Sequence, residues 1–351
     1  MLGSVSMRAA LFREFSGAIT IEDLPDPAPP DGGVVIAVRA SGLCRSDWHG
    51  WRGQDPDIVL PHVPGHELAG EIAAVGRGLE GWRVGERVTL PFCCGCGSCP
   101  PCRAGQTQIC DDHFQPGFTA FGSFAELVAV PFAAVNLVRL PEQLEFDVAS
   151  VLGCRFVTAY RAVVDRGRTA AGEWLAVHGC GGVGLSAVQV GAALGARVLA
   201  VDIAGGALQL ARDSGAEATL DARSVEDVPA AVHELTGGGA HVSLDALGSP
   251  TCAVNSVLSL RKLGRHVQVG LLPEGPTPLP MDAVIGRELE LCGSHGLGAA
   301  RYPEVLEWVR EGRVDPARLL ERRLHLDDLP RELPAMEHFG GVGVSVVTEF
   351  R

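Results

Sequence analysis

The sequence of 351 residues has no apolar run of the roughly 18 to 20 residues that a membrane-spanning helix requires. It is also short of basic residues, with 29 Lys and Arg against 42 Asp and Glu and a net charge of −13. Nucleic acids and anionic membranes are bound by clustered Lys and Arg, so neither is an expected partner. The composition instead favours a soluble globular protein that binds small molecules.

An export signal is also missing, because the N-terminal stretch MLGSVSMRAALFREF has no basic segment followed by an apolar core. We therefore expect a cytoplasmic protein. No internal repeat is visible, which excludes solenoid architectures. The 11 cysteines are odd in number, and several are separated by two residues. In a large chain without an export signal, this pattern favours reduced thiolates that bind metal over disulfides.

Two kinds of pattern divide the chain. Up to about residue 150, short β-branched runs such as residues 34–40 are separated by Gly and Pro, which predicts a mostly antiparallel β domain. From about residue 170, apolar runs alternate with helical stretches, which predicts a parallel α/β sheet. An amphipathic helix and a terminal strand at the end of the chain are assigned to the β domain. The predicted domains are residues 1–154 with 294–351, and residues 155–293.

A glycine-rich turn lies between the apolar run WLAV and a helix of small residues. Its pattern is GxGxxG, which allows a tight turn, a bare backbone beside a pyrophosphate and close packing of helix on strand. The positive end of the helix would face the phosphates. The turn residues predicted to contact a dinucleotide are Gly179, Gly181, Gly182, Val183 and Gly184.

The next strand, RVLAVD, ends at Asp202 and bears on the kind of dinucleotide. A carboxylate at this place can accept hydrogen bonds from the adenosine ribose, whereas it would repel a 2′-phosphate. Residues 203–206 offer no Arg to neutralise such a phosphate. The sequence therefore favours NAD over NADP.

Six of the 11 cysteines lie between Cys93 and Cys110. Four thiolates with the spacing Cys96-x2-Cys99-x2-Cys102-x7-Cys110 can hold a tetrahedral zinc ion in a closed site that contributes folding energy. Cys93 begins an equally regular ladder with the first three of these, so the spacing leaves two registers open. An iron–sulfur cluster fits less well, because the bacterial pattern places the fourth Cys after three residues and before Pro.

Three further residues form a different kind of candidate site. Cys44 lies in SGLCRSDWHG, His66 lies in GHE, and Cys154 lies in VLGCRF. Two Cys and one His are a ligand set that leaves the fourth position of a zinc ion open to water or substrate.

The chain resembles the zinc-dependent medium-chain alcohol dehydrogenase family in five motifs that occur in the same order. They are Cys-Arg-Ser-Asp, Gly-His-Glu, the four-cysteine stretch, Cys154, and GxGxxG with its Asp. The resemblance begins near residue 7 and is strongest for the compact bacterial members. It implies an α/β fold with a Rossmann-type NAD-binding domain and a mostly β, GroES-like catalytic domain that carries a structural zinc lobe. It also implies a homotetramer or homodimer.

The resemblance further implies two zinc ions per chain. Cys44, His66 and Cys154 would hold the catalytic zinc. The structural zinc would be held by Cys96, Cys99, Cys102 and Cys110, which leaves Cys93 and Cys94 without a ligand role.

The implied activity is reversible hydride transfer between a zinc-bound primary or secondary alcohol and NAD, giving an aldehyde or ketone. Zinc lowers the cost of forming the alkoxide that releases the hydride. Ser46 would take the alcohol proton and His49 would relay it. Asp47 would accept a hydrogen bond from the ring of His66, and Glu67 would lie behind the zinc.

The remaining implied contacts concern the cofactor and the substrate. Arg45 would bind the pyrophosphate, Thr158 would touch the nicotinamide, and the backbone of Gly270 and Leu271 would face its carboxamide. Arg155, directly after Cys154, departs from the family pattern and is a candidate phosphate contact. Candidate pocket walls are Phe92, Trp51 and Leu271.

Two other functions are compatible with the sequence. A polyol, sugar or amino-acid (threonine-type) dehydrogenase of the same family would need additional polar groups in the pocket. A non-catalytic, zinc-stabilised NAD-binding sensor would have no use for an open metal site.

Overall fold

A computed structural model describes residues 6–273, 275–338 and 342–351. The chain forms two compact units. The first comprises Met1–Cys154, Gly296–Glu304 and Leu320–Arg351, and the second comprises Arg155–His295 and Val305–Leu319. Within the described ranges, no helix combines the length and the apolarity needed to cross a membrane.

Strands account for most of the first unit and for the centre of the second. In chain order they are β1 (Ser6–Phe12), β2 (Ile19–Pro25), β3 (Val34–Gly42), β4 (Glu67–Val75), β5 (Arg87–Thr89), β6 (Leu127–Val130), β7 (Val138–Arg139), β8 (Trp174–His178), β9 (Arg197–Asp202), β10 (Ala218–Asp221), β11 (Ala240–Asp245), β12 (Leu260–Gln268), β13 (Glu290–Gly293), β14 (Leu320–His325) and β15 (Val344–Glu349).

The helices are mostly short. In chain order they are α1 (Arg45–Trp51), α2 (Pro100–Arg103), α3 (Ala133–Asn136), α4 (Phe146–Val151), α5 (Val157–Arg161), α6 (Gly182–Ala193), α7 (Gly205–Asp213), α8 (Val228–Thr236), α9 (Pro250–Leu258), α10 (Met281–Arg287), α11 (Tyr302–Arg310) and α12 (Leu329–Ala335). A π-helical turn, Leu152–Phe156, joins α4 to α5, and another, Ala162–Arg166, follows α5.

The first unit is built around β3, which pairs antiparallel with β4, β6 and β15. The main sheet has the order β14-β15-β3-β4-β5-β7, and β1 and β2 form a separate antiparallel pair. Alternate residues of β3 such as Val34 and Ile36 are fully buried, because β-branched side chains pack well on a pleated surface. They join a core that includes Leu68 and Phe124. The predicted β-rich domain is confirmed.

The second unit contains a six-stranded sheet with the order β10-β9-β8-β11-β12-β13, and its pairings are parallel throughout. The residues Leu175, Ala176 and Val177 of β8 are fully buried, as expected for a parallel strand covered on both faces. The predicted Rossmann-type sheet is therefore confirmed. The strand order reverses between β8 and β11, so ligands are expected outside the carboxyl ends of these two strands.

The assignment of residues 294–351 differs between the sequence prediction and the structure, which places Val305–Leu319 in the second unit. The indole of Trp308 packs edge-on against the ring of Tyr160, with 5.1 Å between the ring centroids. The side chain of Gln189 also donates to the carbonyl of Asp315 (3.0 Å) and accepts from its N–H (2.9 Å). These contacts form only in three dimensions, so the linear pattern of the sequence does not show them.

The close packing of β8 against α6 depends on Gly184. A Cβ atom at this position would lie 1.8 Å from the carbonyl oxygen of Gly179, which itself has a φ of +92°. We expect Gly184→Ala to lower the free energy of unfolding by about 2 kcal/mol, because strand and helix must separate. Urea unfolding measures this. Gly286→Ala on α10 is the matched control, since a Cβ there has nothing within 4 Å. Equal stability of the two variants would contradict the packing argument.

Candidate active site and metal centres

Four buried side chains of the first unit converge on one point. The donor atoms of Cys44, His66, Glu67 and Cys154 all lie within 4.8 Å of one another. We call these four residues the open donor set. It includes the three predicted ligands of the open zinc site, from three separate segments of the chain, and adds the carboxylate of Glu67.

The pairing of β3 with β4 brings the first two segments together. Gly42 at the end of β3 lies opposite Glu67 at the start of β4. Cys44 therefore follows β3 and His66 precedes β4 at the same end of the strand pair. A Cβ at Gly42 would lie 2.3 Å from a carboxylate oxygen of Glu67, so the glycine makes room for that side chain.

The carboxylate of Asp47 connects these segments. One oxygen accepts from the Cys44 N–H (2.9 Å), and the other accepts from the Gly65 N–H (3.1 Å) and lies 2.8 Å from Nδ1 of His66. Burial lowers the pKa of the His66 imidazole, but the Asp47 carboxylate outweighs it and holds this pKa well above the usual range.

The open donor set fits a zinc ion. With Nδ1 engaged by Asp47, Nε2 of His66 is buried and makes no hydrogen bond with the described residues. Such an orphaned ring nitrogen beside two cysteine sulfurs is the arrangement that a metal ion satisfies. A zinc ion held by three ligands, Cys44, His66 and Cys154, would keep its fourth position open to substrate, with Glu67 adjacent.

Cys154 is presented by the π-helical turn between α4 and α5. The preceding Gly153 packs closely on β4, since a Cβ there would lie 3.2 Å from Cα of Glu67. The carbonyl of Gly153 also accepts a hydrogen bond from the N–H of Phe92 (3.0 Å).

The residues assigned to proton transfer lie on α1. The hydroxyl of Ser46 lies 3.8 Å from Sγ of Cys44, beside the open donor set. Nδ1 of His49 contacts the side-chain oxygen of Gln54, and the His49 ring packs edge-on against Trp48.

Two aromatic rings flank the His66 imidazole edge-on. The ring centroid of Phe118 lies 5.2 Å from that of His66, and the centroid of Phe92 lies 6.1 Å away. Phe92 was predicted as a pocket wall, whereas Phe118 was missed, because it is one of several aromatic residues in a loop without periodicity. Trp51 belongs to the core of the first unit and donates from its indole to the carbonyl of Gly17, and Leu271 is exposed.

A second set of donors consists of four sulfurs within 4.8 Å of one another. We call it the thiol lobe: Cys96, Cys99, Cys102 and Cys110. Of the two registers that the spacing left open, the structure groups this one. Cys93 and Cys94 belong to neither donor set, and burial raises the pKa of Cys93 to about 12.

Backbone N–H groups point at the sulfurs of the thiol lobe. Sγ of Cys110 accepts from Cys96 (3.2 Å) and Asp112 (3.3 Å), and Sγ of Cys96 accepts from Ser98 and Cys99 (both 3.4 Å). Hydrogen bonds from the Ser98 side chain and from these two N–H groups lower the pKa of Cys96 to about 6. Donors aimed at sulfur stabilise the thiolate of Cys96, whereas burial raises the pKa values of Cys102 and Cys110. Four sulfurs within 4.8 Å of one another fit a closed zinc site.

In the second unit, the glycine turn joins β8 to α6 as predicted for GxGxxG. A Cβ at Gly181 would have nothing within 4 Å, so the backbone is open there. The guanidinium of Arg155 lies against Gly182, with a terminal nitrogen 3.0 Å from the position of a Cβ. Asp202 accepts from the N–H groups of Cys180 (2.6 Å), Ile203 (2.7 Å) and Ala204 (2.8 Å), and so holds the turn.

The other predicted cofactor contacts are spread over both units. Thr158 is buried, and its hydroxyl makes no hydrogen bond with the described residues. The N–H of Gly270 donates to the carbonyl of Asp245 (2.9 Å), the last residue of β11, and Leu271 follows Gly270. Arg45, in the first unit, stacks on Trp48 at 3.8 Å and donates to the carbonyl of Met336.

Comparison with known proteins accounts for both units. The chain matches the alcohol dehydrogenase GroES-like domain over residues 30–142 and the zinc-binding dehydrogenase domain over residues 182–311. An alcohol dehydrogenase of Rhizobium meliloti (strain 1021) is 35% identical over 314 residues, covering 88% of this chain and 90% of the relative. The chain belongs to the zinc-dependent medium-chain alcohol dehydrogenase family.

Two solved structures of family relatives show how far the likeness in fold extends. The alcohol dehydrogenase of the archaeon Aeropyrum pernix has a TM-score of 0.88 at 30% identity, covering 97% of this chain and 99% of the other. An alcohol dehydrogenase of E. coli CFT073, solved with NADH, has a TM-score of 0.87 at 26% identity, covering 98% and 99%. The likeness therefore spans both units of the chain.

Zinc analysis and thermal unfolding of Cys110→Ser test the role of the thiol lobe. We expect this variant to lose one of two zinc ions per chain and to unfold roughly 5 to 10 °C below the wild type, because a closed site contributes folding energy. Cys292→Ser, on β13 and outside both donor sets, is the control and should retain both ions. An unchanged zinc content in Cys110→Ser would contradict the assignment.

Proposed function

We propose that this protein is a zinc-dependent alcohol dehydrogenase, which transfers hydride reversibly between a primary or secondary alcohol and NAD to give an aldehyde or ketone. The observation that carries the proposal is the open donor set, in which Cys44, His66 and Cys154 converge with the orphaned Nε2 of His66. When bound there, zinc would act as a Lewis acid on the alcohol oxygen.

The residues of the chain supply orientation and proton transfer. Asp47 fixes the tautomer of His66 by accepting from Nδ1, so that Nε2 faces the cysteine sulfurs. Ser46 accepts the alcohol proton on its hydroxyl oxygen while it releases its own hydroxyl proton, so that the group stays neutral; this hydroxyl lies beside Cys44. His49, half-buried on the same helix, passes the released proton towards solvent as a general base.

The substrate class is supported by the surroundings of His66. The rings of Phe92 and Phe118 are apolar and lie edge-on to the imidazole, with ring centroids 6.1 Å and 5.2 Å from its own. They favour an uncharged alcohol over a polyol, sugar or amino acid, which would need charged or hydrogen-bonding partners. A non-catalytic sensor would not require a three-ligand site with an open position.

NAD binding is supported by the glycine turn and by the NADH-bound relative. The bare backbone at Gly181 and the N-terminus of α6 suit the pyrophosphate. Asp202 can accept further hydrogen bonds from the adenosine ribose with the remaining lone pairs of its carboxylate. We assign Arg45 and Arg155 to the phosphates, Thr158 to the nicotinamide, and the backbone of Gly270 and Leu271 to the carboxamide.

Assembly as a homodimer or homotetramer is part of the proposal. It is supported by β13, which ends the order of the described strands in the sheet of the second unit, and by the exposed side chains of Met281 and Ile285 on α10 and of Leu291 on β13 itself. An unpaired strand edge with apolar neighbours is a common site of chain association. Light scattering in solution measures the number of chains.

NADH formation from a series of alcohols, measured for the wild type and Cys44→Ala, tests the activity. We expect the wild type to hold two zinc ions per chain and to turn over alcohols. The variant should hold one zinc ion per chain and show no detectable turnover. Cys292→Ser should behave as the wild type. A wild-type protein with one zinc per chain, or without turnover of any alcohol, would overturn the proposed function.

NADH binding followed by fluorescence tests the glycine turn. We expect Gly181→Ala to weaken NADH binding at least tenfold while leaving thermal stability unchanged, because a methyl group there meets only the ligand. Gly286→Ala serves again as the control. Unchanged affinity in Gly181→Ala would place the pyrophosphate elsewhere.

A further inference from the structure

Tyr302, the first residue of α11, is completely buried in the first unit. Its hydroxyl donates to the carbonyl of Gly153 at 3.2 Å, and the carbonyl of Leu152 lies at 3.5 Å. A phenol on a late helix thus contacts the carbonyl of Gly153, 149 residues earlier in the chain and immediately before Cys154, the second cysteine of the open donor set.

The contacted carbonyls belong to the π-helical turn Leu152–Phe156. A π-helical turn departs from the regular i to i−4 ladder, so its backbone groups rely more on partners outside the helix. The carbonyl of Gly153 has two such partners, the hydroxyl of Tyr302 and the N–H of Phe92 (3.0 Å). The position of Cys154 is therefore set in part by groups that are not ligands.

The same turn also packs closely against β4. A Cβ at Gly153 would lie 3.2 Å from Cα of Glu67, which leaves the backbone no room to move in that direction. Glu67 itself belongs to the open donor set, and His66 directly precedes it. The turn therefore contacts both β4, which His66 directly precedes, and the hydroxyl of Tyr302.

We propose that Tyr302 is a positioning residue for the catalytic zinc site, because its hydroxyl holds Cys154 at the distance from His66 and Cys44 that a metal ion requires. The inference rests on the proposed function. The phenol touches neither metal nor substrate and acts only through the backbone of residues 152 and 153. Removing its hydroxyl should loosen one ligand of this site and leave the thiol lobe unchanged.

Tyr302→Phe keeps the buried ring and removes the hydroxyl. We expect zinc to leave the catalytic site about tenfold faster in the presence of a chelator, the size of effect typical for groups that orient a metal ligand. The release rate from the thiol lobe should be unchanged. Zinc release should show two kinetic phases, one for each site, and the phase of the catalytic site is the one that is missing from Cys44→Ala. In the Co²⁺-substituted protein, the visible absorption of the catalytic site should shift.

Tyr160→Phe is the matched control, because Tyr160 is the other of the two tyrosines in the sequence and packs against Trp308 in the second unit. Equal release rates and identical cobalt spectra for Tyr302→Phe and the wild type would overturn the inference. So would equal acceleration at both zinc sites, or the same effect in Tyr160→Phe. A wild type with one zinc ion would instead refute the proposed function.

Discussion

The carboxylate of Asp47 receives hydrogen bonds from the backbone of Cys44 and Gly65 and lies against Nδ1 of His66. The site depends on this junction because it joins the helix that follows β3 to the residues that precede β4. Asp47 is 1% exposed, so its interactions act in a medium of low dielectric constant, where they are strong if satisfied and costly if broken. One side chain thereby fixes the spacing of two candidate ligands and the tautomer of the imidazole.

The two donor sets differ in how far apart along the chain their residues lie. The thiol lobe draws its four sulfurs from one short segment, and backbone N–H groups of that same segment donate to two of them, those of Cys96 and Cys110. The open donor set gathers side chains from three distant segments. Its geometry therefore depends on the pairing of β3 with β4 and on the tight contact of Gly153 with Glu67. A local loop suits a closed structural site, whereas a catalytic site is built from elements that a packed sheet holds in place.

In the second unit, the structure around the GxGxxG turn supports its assignment to dinucleotide binding. Gly184 allows α6 to pack on the turn, Gly181 leaves its backbone uncovered, and Asp202 ties the turn to the end of β9. The reversal of strand order between β8 and β11 places this turn where parallel sheets bind ligands. Arg155 adds a buried guanidinium at Gly182, so the residue that departs from the family pattern lies against the first turn of α6.

Local patterns in the sequence determined the Rossmann-type sheet, the β-rich domain, the glycine turn and the family, because hydrophobic period and motif spacing act over short distances along the chain. The cysteine spacing alone left open whether Cys93 or Cys110 completes the four-thiol set; the family resemblance implied Cys110, and the structure groups Cys96, Cys99, Cys102 and Cys110. The tertiary structure alone decided that Phe118 flanks His66, that Tyr302 contacts Gly153, and that Val305–Leu319 belongs to the second unit. These contacts join residues far apart in sequence, and their partners carry no periodic signal that a linear pattern could reveal.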